Sequence, residues 1–212
     1  MDRQYQFLVN GEWCGSGEPV EIRSPYSGEI VGSTWVASPQ DVEAAVQGAA
    51  NAFRETKALP AYRRIEVLGR VVQGLQAEQE AIARLIALEA GKPIRLARAE
   101  AARAVLTFTD ALEETKRLRG EWLPLDLDAG SCGRSAIVRR FPVGPVLAIT
   151  PFNFPLNLVA HKLAPAMACG APVILKPAPQ APLSALHLTR IIHEAGALPG
   201  SLSAFLCPVE AA

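Results

Sequence analysis

The sequence predicts an α/β fold whose last third forms part of a doubly wound, Rossmann-type parallel sheet. Three short apolar runs, at residues 146–150, 172–176 and 202–206, are separated by two helical stretches. Continuous apolar runs of this length are typical of strands that a parallel sheet buries on both faces. Because short links join strand, helix, strand, helix and strand, right-handed crossovers should place the three strands side by side. This is one half of a doubly wound nucleotide-binding unit.

The last third of the chain also carries very little charge. Residues 142–212 include only five charged side chains, whereas eleven of the 17 prolines fall there. Its helices are expected at about 155–168, ending at Gly170, and at about 183–195, ending at Gly196. We expect the third strand to have an unpaired far edge, and apolar faces of the sheet to lack covering helices. The 212-residue chain alone should then be prone to aggregation.

The chain begins with extended structure. Asn10-Gly11 interrupts an apolar run and is a strong signal for a β-hairpin. A second turn ends at Gly28, and the pattern after it predicts a strand at 29–35.

Three helices are predicted next. Ser38, followed by proline, is typical of a helix start. Pro60 opens a second, longer helix with one continuous apolar stripe, which Gly91 ends. A third helix should cover roughly residues 94–118.

Two further strands are expected around residues 121–127 and 135–141, joined by a glycine-rich turn. The predicted organisation therefore has three segments. Residues 1–118 contain the hairpin and helices, 119–141 the pair of strands, and 142–212 the first half of the nucleotide-binding sheet.

Composition excludes several classes of protein. The formal net charge is zero and the pI is about 6.8, so a basic surface for nucleic acid or anionic membrane is not expected. No apolar run approaches the roughly 20 residues that span a bilayer, and the polar start does not resemble a signal peptide. These features predict a cytoplasmic protein. The four cysteines and three histidines are widely spaced, so neither disulfides nor a metal site is predicted.

Asn153 lies in the turn after the first apolar run, between two prolines and two aromatic residues. This turn does not have the G-x-G-x-x-G fingerprint. It nevertheless follows a parallel strand at its carboxyl end, where open α/β sheets bind ligands. An uncharged amide held there suits the stabilisation of a developing oxyanion. The alternative is that Asn153 only caps the next helix.

Lys176 ends the second apolar run, at the same predicted edge. A lysine in such an apolar segment either extends its ammonium group to solvent or binds an anion or a sugar hydroxyl. The residues alone do not distinguish these interpretations.

Several motifs stand in the order of one known family. They are Phe7-Leu-Val-Asn-Gly-Glu-Trp13, Glu89-Ala-Gly-Lys-Pro93, Thr150-Pro-Phe-Asn-Phe-Pro-Leu-Asn157, His161-Lys-Leu-Ala-Pro-Ala166 and Leu175-Lys-Pro-Ala-Pro-Gln-Ala-Pro182. The ordered set covers essentially the whole chain and strongly resembles the aldehyde dehydrogenase superfamily. The resemblance implies oxidation of a small-molecule aldehyde with NAD or NADP. It also implies that the strands of segment 119–141 associate subunits, giving a homo-dimer or homo-tetramer at full length.

The resemblance assigns roles to individual residues. Asn153 corresponds to the oxyanion-hole amide, and Lys162 to a lysine beside the catalytic centre. Lys176 would hydrogen-bond the adenosine ribose. The other cofactor-binding positions are Ile149, Thr150, Pro151, Phe152, Pro179 and Gln180. The residues expected to face the substrate are Phe154, Asn157, Leu158 and His161.

Pro179 departs from the pattern of many NAD-specific members, which have a glutamate there that binds both ribose hydroxyls. Without that carboxylate, a 2′-phosphate meets less repulsion. The sequence therefore favours dual or NADP-leaning specificity.

The family's nucleophilic cysteine and general-base glutamate correspond to positions beyond residue 212. Cys169 and Cys207 are expected to be core or near-core thiols instead. In the family, the cysteine thiolate adds to the aldehyde, a hydride passes to the nicotinamide, and water releases the acid. We therefore expect the isolated chain to be inactive.

Arg103 resembles an arginine that some members use to bind an acidic group of the substrate. With the polar residues Asn157 and His161, it favours a small aldehyde that carries phosphate, phosphonate or carboxylate. The alternative is that Arg103 is an ordinary solvated helix residue.

A different class of function is also consistent with the sequence. The chain could be a naturally short, non-catalytic module for dinucleotide binding or oligomerisation. The DNA after codon 212 distinguishes the two, because only an enzyme needs an in-frame continuation with a glycine-rich turn and a cysteine.

Overall fold

A computed structural model describes residues 4–15 and 18–208. The strands are β1 (Phe7–Val9), β2 (Glu12–Cys14), β3 (Glu18–Arg23), β4 (Ile30–Val36), β5 (Glu121–Pro124), β6 (Ser135–Val138), β7 (Val146–Ile149), β8 (Val173–Lys176) and β9 (Leu202–Ala204). The α-helices are α1 (Pro39–Thr56), α2 (Ala61–Ala77), α3 (Gln79–Ala90), α4 (Ile94–Arg117), α5 (Asn157–Cys169) and α6 (Leu183–Glu194). A short 3₁₀ turn covers Ala129–Ser131.

The central sheet has the strand order β2-β1-β9-β8-β7. Strands β7, β8 and β9 are parallel, with Val146 paired with Val173 and Val173 paired with Leu202. The prediction of three neighbouring parallel strands is therefore confirmed. The main hydrophobic core joins this sheet to helices α1 to α6. Helix α5 ends at Gly170, which has a φ of 84°, a left-handed conformation that glycine adopts without strain.

The far edge of β9 is not open. It pairs with β1, where Leu8 lies opposite Ala204, and the Asn10 backbone N–H donates to Ser203 Oγ at 3.1 Å. The expected unpaired edge on the third parallel strand is therefore wrong. Among the described residues, β7 is the terminal parallel strand instead.

Strand β7 is also less buried than predicted. Ala148 is fully buried, whereas Leu147 and Ile149 on the opposite face are each 52% exposed. Helix α5 packs against β7, but no helix within residues 4–15 and 18–208 covers the face that carries Leu147 and Ile149. The expectation of burial on both faces is wrong for this strand. Its open face lies at the edge where ligand binding is predicted.

The predicted hairpin is confirmed as β1 and β2, with Phe7 opposite Cys14. Asn10 and Gly11 have φ values of 54° and 91°, as a type I′ turn requires. Strand β3, which pairs with the predicted strand β4, was not predicted. Its sequence, Glu-Pro-Val-Glu-Ile-Arg, is rich in residues that strands disfavour. Pairing with β4 outweighs this local preference.

The long helix predicted from Pro60 is two helices, α2 and α3, separated at Glu78. Glu78 has φ −106° and ψ 11°, outside the helical range. Its carboxylate accepts from Arg190 at 2.5 Å and lies 2.8 Å from His187, both on α6. The apolar stripe continues across the break, so periodicity alone could not locate it.

Strands β5 and β6 form a separate antiparallel pair, with Glu121 opposite Val138, and both are shorter than predicted. Trp122 and Ile137 on this pair are exposed. No helix in the described part of the chain is long and apolar enough to cross a membrane.

Candidate active site

Strands β7 and β8 end side by side. Ile149 pairs with Lys176, and the Thr150 backbone N–H donates to the Lys176 carbonyl at 3.2 Å. The loop that follows β7 (residues 150–156, the β7–α5 loop) and the turn that follows β8 therefore leave the sheet as neighbours. The predicted cofactor residues on both strands lie at one edge, as the parallel arrangement requires.

Asn153 lies near the middle of the β7–α5 loop and is exposed to solvent. It does not cap the next helix. Helix α5 starts at Asn157, its N-cap residue is Leu156, and no side chain of the cap position bonds the helix end. The alternative that Asn153 serves as the helix cap is therefore not supported. The exposed Asn153 side chain is instead available to a ligand.

The N-terminus of α5 is capped by a residue from another helix. Glu100 of α4 accepts through Oε1 from the backbone N–H groups of Leu156 at 3.0 Å and Asn157 at 3.1 Å. A carboxylate at a helix N-terminus satisfies orphan N–H donors and interacts favourably with the helix dipole. Sequence reasoning missed Glu100. The available signal was its place in the apolar stripe of α4, beside Ala97, Ala101 and Ala104.

Two cations flank the aromatic ring next to Asn153. Lys92 Nζ lies 4.0 Å from the centroid of the Phe154 ring, and the Arg103 guanidinium carbon lies 5.9 Å from it. Lys92 Nζ also contacts Glu100 Oε2 at 2.5 Å. The structure therefore brings the predicted substrate residues Phe154 and Arg103 together. It adds Lys92, which was known only as part of the motif that ends α3.

A second buried glutamate caps the other helix of the parallel unit. Glu89 accepts from the backbone N–H groups of Leu183 at 2.7 Å and Ser184 at 3.0 Å, at the start of α6. Burial raises the pKa of Glu89 to about 7, against the opposing effect of its hydrogen bonds from Ser184 and Leu183. Glu89 was also missed as a functional candidate.

A groove of about 500 Å³ opens beside the Glu89 cap. Phe152 from the β7–α5 loop and Pro179 and Gln180 from the turn after β8 line it, together with Glu89. Pro179 and Gln180 are exposed, and Lys176 is half-buried at the end of β8. The groove is of mixed character, because Glu21 and Arg23 of β3 also line it. Apolar and polar groups together at a parallel-sheet edge suit a dinucleotide, whose rings need apolar contacts and whose sugars need hydrogen-bond partners.

The remaining predicted residues lie on α5. His161 and Lys162 are exposed, Leu158 is half-buried, and Asn157 is only 2% exposed. Asn157 Oδ1 is buried and has no hydrogen-bond partner among the described residues, and the same holds for Thr150 Oγ1. The structure thus opens His161 and Lys162 to ligands and encloses Asn157.

Residues 13–208 match the model of the aldehyde dehydrogenase family. The chain belongs to this family. It is 42% identical over 200 residues to a 3-sulfolactaldehyde dehydrogenase of Priestia megaterium, a match that covers 94% of this chain and 42% of that enzyme. The chain therefore spans less than half of the length of such relatives.

Solved structures of the aldehyde dehydrogenase family match the fold throughout. Aldehyde dehydrogenase 21 of Physcomitrella patens, in complex with the reaction product succinate, has a TM-score of 0.94 and 38% identity, and the match covers 100% of this chain and 44% of that one. NADP-dependent glyceraldehyde-3-phosphate dehydrogenase of Bacillus halodurans, complexed with NADP, has a TM-score of 0.92 and 36% identity. That match covers 99% of this chain and 44% of the other.

The thiols of this aldehyde dehydrogenase chain are all free. Burial raises the pKa of Cys14 and of Cys207, which disfavours their thiolate forms. Cys169 is exposed at the end of α5, so the expectation that it is a core or near-core thiol is wrong. No group of three or more His, Cys, Asp or Glu side chains within the described ranges could hold a metal ion.

Proposed function

We propose that this chain supplies the cofactor-binding part and the oxyanion donor of an NAD(P)-dependent aldehyde dehydrogenase. The substrate is a small anionic aldehyde, and the product is its carboxylic acid. The observation that carries the proposal is the exposed amide of Asn153, which lies between the end of β7 and the ring of Phe154 with its two cations. In this proposal the nucleophilic cysteine and the general base belong to the part of the family's fold that this chain does not match.

Asn153 acts on the aldehyde oxygen. When a thiolate adds to the carbonyl carbon, the π electrons move to the oxygen, and the Asn153 amide donates a hydrogen bond to the negative charge. Such donors are most effective when they are held in place before the reaction. Lys162, exposed on α5, adds a positive charge near the same centre.

The cofactor binds along the carboxyl edge of β7 and β8 and, when bound, accepts the hydride. One side of the cofactor contacts Ile149, Thr150, Pro151 and Phe152. Lys176 donates a hydrogen bond to a ribose hydroxyl of the cofactor. Gln180 and Pro179 complete the site at the groove. Because Pro179 carries no charge that would repel the 2′-phosphate, the site accepts NADP at least as readily as NAD.

The substrate's anionic group pairs with Arg103. No salt bridge engages its guanidinium within the described ranges, whereas Lys92 is paired with Glu100. Arginine binds carboxylate and phosphate groups through parallel hydrogen bonds. The three similar proteins described above support an anionic aldehyde as the substrate. Their names mention sulfolactaldehyde, succinate and glyceraldehyde-3-phosphate, which all carry an anionic group.

We further propose that β5 and β6 associate subunits into a dimer or tetramer. The exposed side chains Trp122, Leu123 and Ile137 support this assignment, because large exposed apolar patches mark interaction surfaces. In this proposal, the segment 1–118 contributes the hairpin and helices of the cofactor-binding domain, 119–141 contributes the association strands, and 142–212 contributes the first half of the cofactor-binding sheet.

The test begins with the complete reading frame of the gene. Expressed protein should oxidise glyceraldehyde-3-phosphate or a carboxylate-bearing aldehyde with NAD or NADP, whereas the 212-residue chain alone should not. A stop codon after residue 212, with cofactor binding but no activity, would instead support the non-catalytic module.

Substitution of Arg103 then tests the substrate class. Arg103→Ala should raise KM for anionic aldehydes by about 10- to 100-fold, because it removes a charge-assisted contact worth about 1.5–3 kcal/mol. It should leave KM for propionaldehyde nearly unchanged. Arg98→Ala is the matched control, since Arg98 lies on the same helix but pairs with Glu80. An equal rise in KM for neutral and anionic aldehydes would contradict the role of Arg103.

A further inference from the structure

The β7–α5 loop, which carries Asn153, is anchored at both ends. At its start, Thr150 donates to the Lys176 carbonyl at 3.2 Å as part of the β ladder. At its end, Leu156 and Asn157 donate to one oxygen of Glu100. The loop's own prolines restrict the backbone between these anchors. The position of Asn153 therefore depends on whether Glu100 stays in place.

Glu100 in turn depends on Lys92. The Glu100 side chain is 1% exposed, and a carboxylate so deeply buried requires a compensating charge and donors. Its Oε1 faces the two backbone N–H groups, whereas its Oε2 faces Lys92 Nζ at 2.5 Å. Loss of Lys92 would leave a buried anion with only the helix end to stabilise it.

Lys92 makes a second contact, on the loop itself. Its ammonium group lies 4.0 Å from the centroid of the Phe154 ring, a cation–π geometry, and Phe154 directly follows Asn153. The Lys92 side chain is 17% exposed, so solvent competes little with either contact. One side chain thus connects the helix cap to the residue beside the proposed oxyanion donor.

We propose that Lys92 and Glu100 are positioning residues for Asn153. Through the Leu156 and Asn157 amides and the Phe154 ring, they fix the loop so that the Asn153 amide meets the reacting oxygen. The inference rests on the proposed function, because it assumes that Asn153 stabilises the oxyanion. It adds two residues that contact neither substrate nor cofactor in this role.

A double-mutant cycle in the full-length enzyme tests the inference. Glu100→Gln keeps the size of the side chain but removes the charge that pairs with Lys92. With Asn153 present, it should lower kcat by about 10- to 100-fold, since small misplacements of a catalytic group have effects of this size. With Asn153→Ala as the background, the same change should lower kcat by less than about threefold, because the group being positioned is gone.

The outcomes separate the two claims. If Asn153→Ala alone leaves kcat unchanged, the proposed function fails and the inference fails with it. If Asn153→Ala lowers kcat but Glu100→Gln lowers it by the same factor in both backgrounds, only the inference is overturned. Glu89→Gln is the matched control, since Glu89 caps α6 in the same way. Its effect on kcat should be the same in both backgrounds.

Lys92 provides a second test in case Glu100→Gln does not fold. Like Glu100→Gln, Lys92→Met should lower kcat strongly when Asn153 is present and only slightly in the Asn153→Ala background. Lys92→Arg, which keeps the positive charge, should restore part of the rate. Hydrogen exchange at Leu156 and Asn157 should accelerate in Lys92→Met, whereas exchange at Leu183 and Ser184 should not. Unchanged exchange at Leu156 and Asn157, with an unchanged kcat, would overturn the inference.

Discussion

At the scale of single residues, the two buried glutamates connect the helical shell to the parallel unit. Glu89 comes from the end of α3 and Glu100 from α4, yet each bonds the first amides of a helix that is distant in sequence. Both caps lie at the edge of the sheet that carries the proposed site. The first amides of each helix thereby receive their hydrogen-bond acceptor from outside the helix's own segment.

The pKa of Glu89 predicts a pH dependence of stability. Since burial raises this pKa from 4.5 to about 7, the folded chain retains the proton more strongly than the unfolded chain. The contribution of Glu89 protonation to the free energy of unfolding is therefore fully present below pH 4.5 and is lost as the pH rises through 7. In urea unfolding of the chain, the free energy of unfolding of the parent relative to Glu89→Gln should fall by about 2–3 kcal/mol between pH 5 and 8. A constant difference over that range would refute the prediction.

The residues that sequence reasoning found and those it missed differ in a physical way. The roles proposed for Asn153, Phe154 and Arg103 come from local motifs, and the structure brings Phe154 and Arg103 together. The only local signal of Glu100 is its place in the apolar stripe of α4, which does not identify its partners, because Leu156 and Asn157 lie more than 50 positions away. Only tertiary contacts assign such a side chain to a cap rather than to solvent.

At the scale of elements, close packing between α2 and α6 depends on a glycine. A Cβ on Gly74 would lie 2.7 Å from Ile191 Cγ2, whereas a Cβ on Gly69 of the same helix would lie 3.6 Å from Leu112 Cδ1. Ile191 is buried and branched at Cβ, so it has little freedom to move. The sequence shows both glycines as helix-interior residues and cannot distinguish them.

These two glycines give a matched pair of substitutions. Gly74→Ala should destabilise the chain by roughly 1–2 kcal/mol, because overpacking exceeds the gain in helix propensity. Gly69→Ala should stabilise it by up to about 1 kcal/mol, since its methyl group meets only ordinary contact. Chemical denaturation of both variants measures the difference. Equal stabilisation by both substitutions would show that Ile191 does not pack closely against Gly74.

At the scale of the whole molecule, the parallel order of β7, β8 and β9 could be predicted, but the closure of the sheet could not. The alternation of apolar runs and helical stretches in the sequence is sufficient to predict three parallel strands. The pairing of β1 with β9 joins residues 193 positions apart at Asn10 and Ser203. No local pattern encodes such a contact. That pairing makes the amino-terminal hairpin part of the central sheet.

Cofactor preference is a property of the assembled site, and we propose that it depends on Pro179. We expect kcat/KM for NADP to equal or exceed that for NAD in the full-length enzyme. Pro179→Glu should shift the ratio toward NAD by about tenfold or more, because a carboxylate repels the 2′-phosphate by at least ~1.4 kcal/mol. Steady-state kinetics with both cofactors measure the ratio. A hundredfold preference of the parent enzyme for NAD would contradict this prediction.

The proposed function depends on Asn153, which is exposed at the carboxyl edge of the parallel sheet and whose amide stabilises negative charge on the aldehyde oxygen. The most direct measurement is kcat of the full-length enzyme with Asn153→Ala. Loss of one such donor should lower kcat by roughly 100- to 1,000-fold, or about 3–4 kcal/mol, and leave the Kd for the cofactor unchanged. A kcat within about threefold of the parent value, with the variant folded and cofactor bound, would contradict the claim.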